Sequence, residues 1–263
     1  MTSLEITNSH ERDKNIEFIE EGHVYNINGN TSFTSTTTFV HRLFPYFNED
    51  KIIDNMMKGA NWESSKYYGK TKKEIKDMWK VNRISSATLG TKMHKYIEDY
   101  YNNKEFTQEQ ITDSQNNIEY SYFENFKKNH ADIVPFRTEW LIYDEHYQIS
   151  GSVDFIVEND DDTYTILDWK RSKQIEKDNR FKKFAKFPNS DLDDNNYTHY
   201  CLQLNIYKYI IEKNYNKKIK DMYLVVLHPE NKLQNYEKIK VVDMQSRVKK
   251  LLDSHYQYIT RKK

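Results

Sequence analysis

Gln148-Ile149-Ser150-Gly151-Ser152-Val153-Asp154-Phe155-Ile156-Val157-Glu158, then Asn159-Asp160-Asp161-Asp162, then Thr163-Tyr164-Thr165-Ile166-Leu167-Asp168-Trp169-Lys170, is the stretch on which the fold turns. Its outer runs are rich in β-branched and aromatic residues and the Asn-Asp cluster between them is turn-forming, so it reads as two strands of a hairpin. Val134 to Tyr143 has the same character, which makes three consecutive strands and a meander. Asp154 lies on one strand; Asp168 and Lys170, two apart, share a face of the next. In a hairpin the two carboxylates can meet beside the amine. An Asp between Leu167 and Trp169 is costly to bury without a partner, which argues against an idle role. A buried Asp168–Lys170 ion pair is the alternative.

The charge pattern reverses where this stretch ends. Glu139 to Asp168 holds nine carboxylates and no Lys or Arg, whereas Lys170 to Lys186 holds eight basic residues against Glu176 and Asp178. Such a boundary suits a site where carboxylates hold a cation and ammonium groups hold a polyanion, although a solvated hairpin beside a solvated helix gives the same runs. Hard oxygen ligands favour Mg²⁺ or Mn²⁺. Upstream, Leu89, Met93, Tyr96, Ile97 and Tyr100 follow the helical period, so Ser86 to Tyr101 is expected as a helix with His94 and Glu98 on one face and Gly90-Thr91 in its first turns. Another helix is expected at about Ser114 to Lys128. Downstream, Asn196 to Lys213 reads as a helix carrying Gln203 and Tyr207 four apart. Asp221 to His228 is an apolar strand stopped by Pro229, Glu237 to Val242 a weaker strand, and Met244 to Ile259 a closing helix. The expected class is α/β (α+β), a mixed central sheet flanked by helices.

In front of this core, Ile16 to Ile19 and His23 to Ile27 read as short strands and Asn28-Gly29 as a type I′ turn. Thr37 to about Arg83 reads as several short helices broken at Pro45 and Gly69. The expected division is residues 1–85, a β-hairpin and helical extension, and 86–263, the core with its C-terminal helix, together one compact unit. Trp62, Lys66, Tyr67, Tyr68, Lys70, Lys72, Lys73 and Trp79 in the extension suit either base stacking along a guided strand or ordinary packing. Forty Lys plus Arg balance forty Asp plus Glu over 263 residues, so nucleic-acid binding would have to come from local patches. Aromatics at 14% belong to a folded chain. A lone Cys201 excludes internal disulfides, cysteine zinc fingers and a four-cysteine iron–sulfur cluster, and is compatible with a reducing compartment. Met1 to Glu21 is unlike a signal or transit peptide and no apolar run reaches membrane-spanning length, so the expectation is a soluble intracellular protein, not secreted, with no membrane partner.

Taken together, Gly90-Thr91-Lys92-Met93-His94, Glu139, Gly151-x-x-Asp154, Asp168-Trp169-Lys170 and Gln203-x-x-x-Tyr207 resemble, in order and interval, the motifs of RecB-like nucleases of the PD-(D/E)XK superfamily. The likeness spans about Ser86 to His228. Val24 to Phe44 also looks like the lead-in of phage, large-DNA-virus and mitochondrial-maintenance exonucleases of that group. The resemblance implies a restriction-endonuclease-like core of helix, three strands, helix and strand. It implies a divalent metal held by His94, Asp154, Asp168 and the backbone carbonyl of Trp169, with Glu139 reaching a second metal through water or pairing with a basic group. Lys170 would act on the attacking water, Gln203 would position the Lys170 region or the scissile phosphate, and Tyr207 would support that wall or touch the nucleic-acid backbone.

Many relatives have Thr after the catalytic Lys; here Arg171-Ser172-Lys173 follows, so Ser172 would supply the hydroxyl, with Arg171, Lys173 and Thr91 as further nucleic-acid contacts. The iron–sulfur cysteines of some relatives are absent, and no cluster is carried over. The implied function is a Mg²⁺- or Mn²⁺-dependent deoxyribonuclease, an exonuclease on single-stranded or end-frayed DNA in repair or recombination, either cytoplasmic or a viral or phage protein acting in its host. A structure-specific endonuclease with the same site, or an inactive DNA-binding module of the same fold, are the alternatives; the presence of Asp154, Asp168 and Lys170 speaks against the last.

Overall fold

The computed structural model describes residues 3–261. A short turn of helix, α1 (Leu4–Thr7), precedes the hairpin β1 (Ile16–Ile19) and β2 (Val24–Ile27), which pair antiparallel. Asn28 and Gly29 have φ of +51° and +83°, and Ile27 and Asn30 exchange backbone hydrogen bonds of 3.0 and 2.9 Å around them. The two-residue turn therefore forms, but it follows the hairpin; the strands themselves are joined through Glu20–His23. Next come β3 (Thr34–Ser35), α2 (Thr36–Arg42) and α3 (Glu49–Met57). Ser35 and Asn48 cap the two helices by accepting from the Thr38 and Lys51 N–H groups.

The helix expected from Ser86 is the second half of a longer one. Helix α4 (Lys72–Tyr101) runs 30 residues from a Thr71–Glu74 capping box, and it passes position 85/86 without a break. Val81 to Thr88, in its middle, is exposed on every side, so α4 links the aromatic arm around Trp79 to the core as a bare rod. In that arm Tyr67 accepts a 2.9 Å hydrogen bond from Trp79 Nε1, and Trp62 packs edge-on to Tyr68. Lys72 pairs with Asp54, so much of the aromatic and basic content of 62–79 is spent on the arm's own packing. The helix expected at Ser114–Lys128 is two, α5 (Gln108–Asn116) and α6 (Ile118–Asn129), parted at Asn117, whose φ of −117° and ψ of 119° are extended. A Thr107–Gln110 capping box starts α5 earlier than apolar periodicity suggests.

The meander is β4 (Val134–Asp144), β5 (Ile149–Glu158) and β6 (Tyr164–Lys170), all antiparallel. Helix α7 (Asn196–Asn214) crosses over to β7 (Ile219–Val226), which lies parallel to β6; β8 (Glu237–Lys240) returns antiparallel, and α8 (Gln245–Thr260) closes the chain. A parallel neighbour needs such a crossover, so α7 is committed to one face of the sheet. There Val153, Ile166, Leu224 and Val226 pack with Phe39, Leu204, Ile210 and Leu252 from α2, α7 and α8. On the other face Phe155, Leu167, Trp169 and Val225 pack with Met93, Ile97, Phe123 and Phe126 from α4 and α6. The result is the mixed sheet between helices that the residue pattern implies, with β3 added beside the start of β5.

Tyr207 of α7 lies directly over the β5 backbone at Gly151. A Cβ there would stand 2.6 Å from Tyr207 Cε1 and 3.2 Å from both its hydroxyl and Thr36 Oγ1. Gly151→Ala is therefore expected to destabilise the fold by about 1–3 kcal/mol in urea unfolding, as overpacking of a filled core does; a midpoint unchanged from wild type would mean that the ring yields freely.

Candidate active site

Strands β5 and β6 pair only from Glu158–Tyr164 to Phe155–Leu167. Beyond that point β6 stays with β7 as far as Lys170–Val226, while the first residues of β5 lie with β3 and β4. The sheet forks, and Asp154 and Asp168 stand on its two prongs. The Trp169 N–H, past the last β5–β6 pair, donates to Asp154 Oδ2 at 2.9 Å, so a side chain replaces the missing ladder bond. Trp169 itself is buried against Phe126, Phe123 and Phe155, with ring centroids 5.2, 5.8 and 5.7 Å away, which anchors the prong that carries Asp168 and Lys170.

On β4, Thr138 faces Phe155 and Trp140 faces Val153, so Glu139 falls opposite Asp154. Its φ is +44°, a left-handed conformation that costs a non-glycine residue about 1–3 kcal/mol and turns its carboxylate toward the fork. Glu139 Oε2 accepts from Ser152 Oγ at 3.0 Å, and Oε1 lies 3.4 Å from His94 Nδ1. His94, on α4, also places Nδ1 3.7 Å from Asp154 Oδ2 and Nε2 3.0 Å from the Trp169 carbonyl oxygen. His94, Glu139 and Asp154 each offer a ligand atom, all within 4.8 Å of one another. Asp168, expected in that group, lies outside it: its carboxylate turns to the Lys170 ammonium, and the two form a buried ion pair. Conversely Glu139, expected at the margin, stands inside.

Asp168 is 1% exposed, and neither of its oxygens has a well-formed hydrogen bond among the described residues. A buried carboxylate whose one charged partner is the Lys170 ammonium, beside three ligating groups and a carbonyl that faces His94, is a donor set suited to a hard divalent cation. The charges point the same way. Burial works against a charged His94, yet the Asp154 and Glu139 carboxylates outweigh it and push its pKa up from 6.5 to about 9. Burial raises both aspartates, Asp168 to about 6, with Lys170 opposing that shift. Lys170 is held as an ammonium, since Asp168 and Asp154 outweigh the cost of its burial.

Helix α7 forms the other wall. Gln203 Nε2 donates to the Tyr207 hydroxyl at 2.9 Å, and burial, Tyr25 and the carboxylates of Asp168 and Asp154 hold that phenol protonated. Tyr200, one turn before Gln203, sets its ring 5.1 Å from Lys170 Nζ. Thr91 is exposed and lines a cavity of about 840 Å³ with Tyr25, Glu139 and Ser152. The residues after Lys170 go elsewhere. Arg171, expected to contact phosphate, instead donates through Nε at 2.9 Å and Nη2 at 2.8 Å to the buried carboxylate of Glu119 on α6. Ser172 Oγ donates to the Gln174 carbonyl at 3.1 Å, and Lys173 pairs with Glu230 on the surface. Nothing in the residue pattern singles out Tyr25, Ser152 or Tyr200. Tyr25 comes from the N-terminal hairpin, and its pKa is pushed up to about 12 by burial and by Glu139; no local motif marks it.

A forked mixed sheet with carboxylates on both prongs and a lysine two residues beyond the second brings together the kinds of charge that metal-assisted attack on a phosphate ester requires. The family model described as the PD-(D/E)XK nuclease superfamily matches residues 64–261. The chain belongs to that superfamily of nucleases, which use divalent metals. No curated protein matches it. Among solved structures, one described as the crystal structure of SSO0001 is 13% identical, covers 97% of this chain and 81% of that one, and has a TM-score of 0.36. Among the described residues no helix is long and apolar enough to cross a membrane.

A histidine whose pKa is higher folded than unfolded adds stability that is complete below about 6.5 and lost as the pH rises through about 9. In chelator, the melting temperature is therefore expected to fall across that window, and His94→Gln to remove the fall. An identical slope in the variant would assign the titration to another group.

Proposed function

We propose that this protein is a RecB-like DNA exonuclease, dependent on Mg²⁺ or Mn²⁺, that hydrolyses phosphodiester bonds of single-stranded or end-frayed DNA. The observation that carries the reading is the fork, which brings His94, Glu139 and Asp154 within 4.8 Å of one another and sets the Asp168–Lys170 pair on its second prong. The proposed metal ligands are His94, Asp154, Asp168 and the Trp169 carbonyl, with Glu139 as a further carboxylate. A divalent ion held there would supply a Lewis acid that polarises the phosphate and lowers the pKa of a water.

The chain's own groups do the rest. Lys170, as an ammonium, is suited to orient the nucleophile and to neutralise the charge that grows on phosphorus during in-line attack, rather than to act as a base. Asp154 holds the Trp169 N–H, and the carbonyl of the same residue, in the next peptide unit, faces His94. Gln203 and Tyr207 form one hydrogen-bonded unit that holds the wall opposite, and Tyr200 confines the lysine amine. The depth of the site supports an unpaired substrate: Asp168 is buried and Lys170 nearly so, and a flexible strand bends a phosphate into such a cleft more readily than a stiff duplex does.

With Mg²⁺ or Mn²⁺, the full chain is expected to release nucleotides from end-labelled single strands and to leave closed circles intact. Asp168→Ala and Lys170→Ala should each lower the rate by about 10³-fold, the scale of removing one charge-stabilising group, while single-strand binding in chelator persists. Cleavage of circles at the same rate would make the enzyme an endonuclease, and undiminished activity in either variant would exclude this site.

A further inference from the structure

Away from the fork, the segment between β6 and α7 exposes aromatic rings on a framework that is itself held. Phe181, Phe184 and Phe187 are 82%, 43% and 91% exposed, and Tyr46 and Phe47, after α2, are 90% and 56% exposed. These rings are not on a loose loop. The Ala185 N–H donates to the Leu192 carbonyl at 2.9 Å, the Lys186 N–H to the Leu43 carbonyl at 2.8 Å, and Asn179 Nδ2 to the Lys183 carbonyl at 2.7 Å. The Lys186 bond ties the two segments together, and Tyr46, Phe47 and Phe184 share one cleft of about 730 Å³. A concentration of nearly bare rings on a fixed framework is unusual for a free surface and marks a site that something covers.

The charges around the cleft select the occupant. Arg42, Lys51, Lys182, Lys183 and Lys186 are exposed, and none has a carboxylate within ion-pair distance among the described residues. Of the acidic neighbours, Asp191 is paired with Arg247, Asp194 takes a 3.0 Å hydrogen bond from His199, and Asp193 one of 2.8 Å from Asn179, so the cleft keeps some negative charge beside its lysines. Lys51 and Lys183 line the cleft with Tyr46, Phe47 and Phe184, and Arg42, Lys182 and Lys186 lie on the flanking segments, a set that complements a polyanion that also offers flat apolar faces. An unpaired nucleic-acid strand has both, whereas the bases of a duplex are stacked on each other and closed to side chains. The cleft and the proposed active site share the first turns of α7. His199, which lines it, precedes Tyr200 on α7, and the Tyr200 ring is the one beside Lys170.

We propose that this cleft is a stacking subsite for unpaired DNA bases, holding the strand on the far side of the first turn of α7 from Lys170. Tyr46, Phe47 and Phe184 take the bases, and Lys51, Lys183 and Lys186 the phosphates. This deepens the nuclease reading and rests on it. It also gives the basic run after Lys170 a place to act, since Arg171 and Lys173 are already paired with Glu119 and Glu230.

The test is fluorescence anisotropy of a labelled oligothymidylate and of a labelled blunt hairpin duplex, on the full chain in EDTA, so that binding is read without cleavage. Tyr46→Ala/Phe184→Ala is expected to weaken single-strand binding by about tenfold per ring, to leave duplex binding unchanged, and, because the rings are exposed, to keep the wild-type melting temperature. Tyr46→Phe and Phe184→Trp, which retain a flat face, should bind as wild type does. Unchanged single-strand affinity overturns the subsite, as does an equal loss on the duplex. A wild-type dimer in sedimentation that dissociates in the double variant would also overturn it, and would assign the rings to a second copy of the chain. The nuclease reading fails separately, through undiminished cleavage by Asp168→Ala, which this binding comparison does not measure.

Discussion

The parting of β5 from β6 after Phe155–Leu167 is the constraint on which the site depends. A parted pair leaves backbone donors without partners, and here the Asp154 carboxylate takes the Trp169 N–H. That one bond does two things. It satisfies a buried amide as a ladder bond would have done, and it holds the backbone at Trp169, the residue whose carbonyl, in the next peptide unit, faces His94. The fork stays open because β6 has a second partner, β7, through Lys170, and because Trp169 is locked among three rings of the α4–α6 face. Chemistry at the tip thus draws on packing behind it.

The same alternation distributes the charges. Asp168 and Lys170 project toward α7, while Trp169 projects into the α4–α6 core. Arg171, one residue further, turns to Glu119 on α6. In both ion pairs the carboxylate is buried and the cation half-buried, and each pair is neutral, so neither by itself attracts a polyanion over distance. Attraction is left to the exposed cations further along the loop, which separates the surface proposed to gather the strand from the site proposed to cut it.

Much of this was legible in residue order. Period-two runs marked the meander, and the spacing of Asp154, Asp168 and Lys170 placed them at one locus, because strand geometry converts a two-residue interval into a shared face. Helix boundaries were less legible. Nothing between Arg83 and Gly90 breaks α4, and its exposed middle carries no apolar stripe to reveal it, so periodicity alone began the helix at Ser86. Contacts made across the chain were not legible at all. Glu119 looks like any surface acid of a helix until α6 packs beside Arg171, and Tyr25 reaches Glu139 only because the N-terminal hairpin folds back onto β4. The left-handed φ at Glu139 has no local signature either, since no Gly or Asn marks it.

The balance of charge at the fork explains why its geometry favours a cation. With Asp154, Asp168 and Glu139 ionised against His94 and Lys170 protonated, three negative charges meet two positive ones. One negative charge remains in a place that burial already disfavours, as the raised pKa values of both aspartates record. A proton on His94 is the chain's own partial remedy, held by Glu139 and Asp154 on one side of the ring and the Trp169 carbonyl on the other. A divalent ion bound to the neutral imidazole would replace one positive charge by two and bring the sum to zero. The proton and the ion compete for the same imidazole, so the feature that stabilises the empty fold at low pH is the one that metal binding must displace.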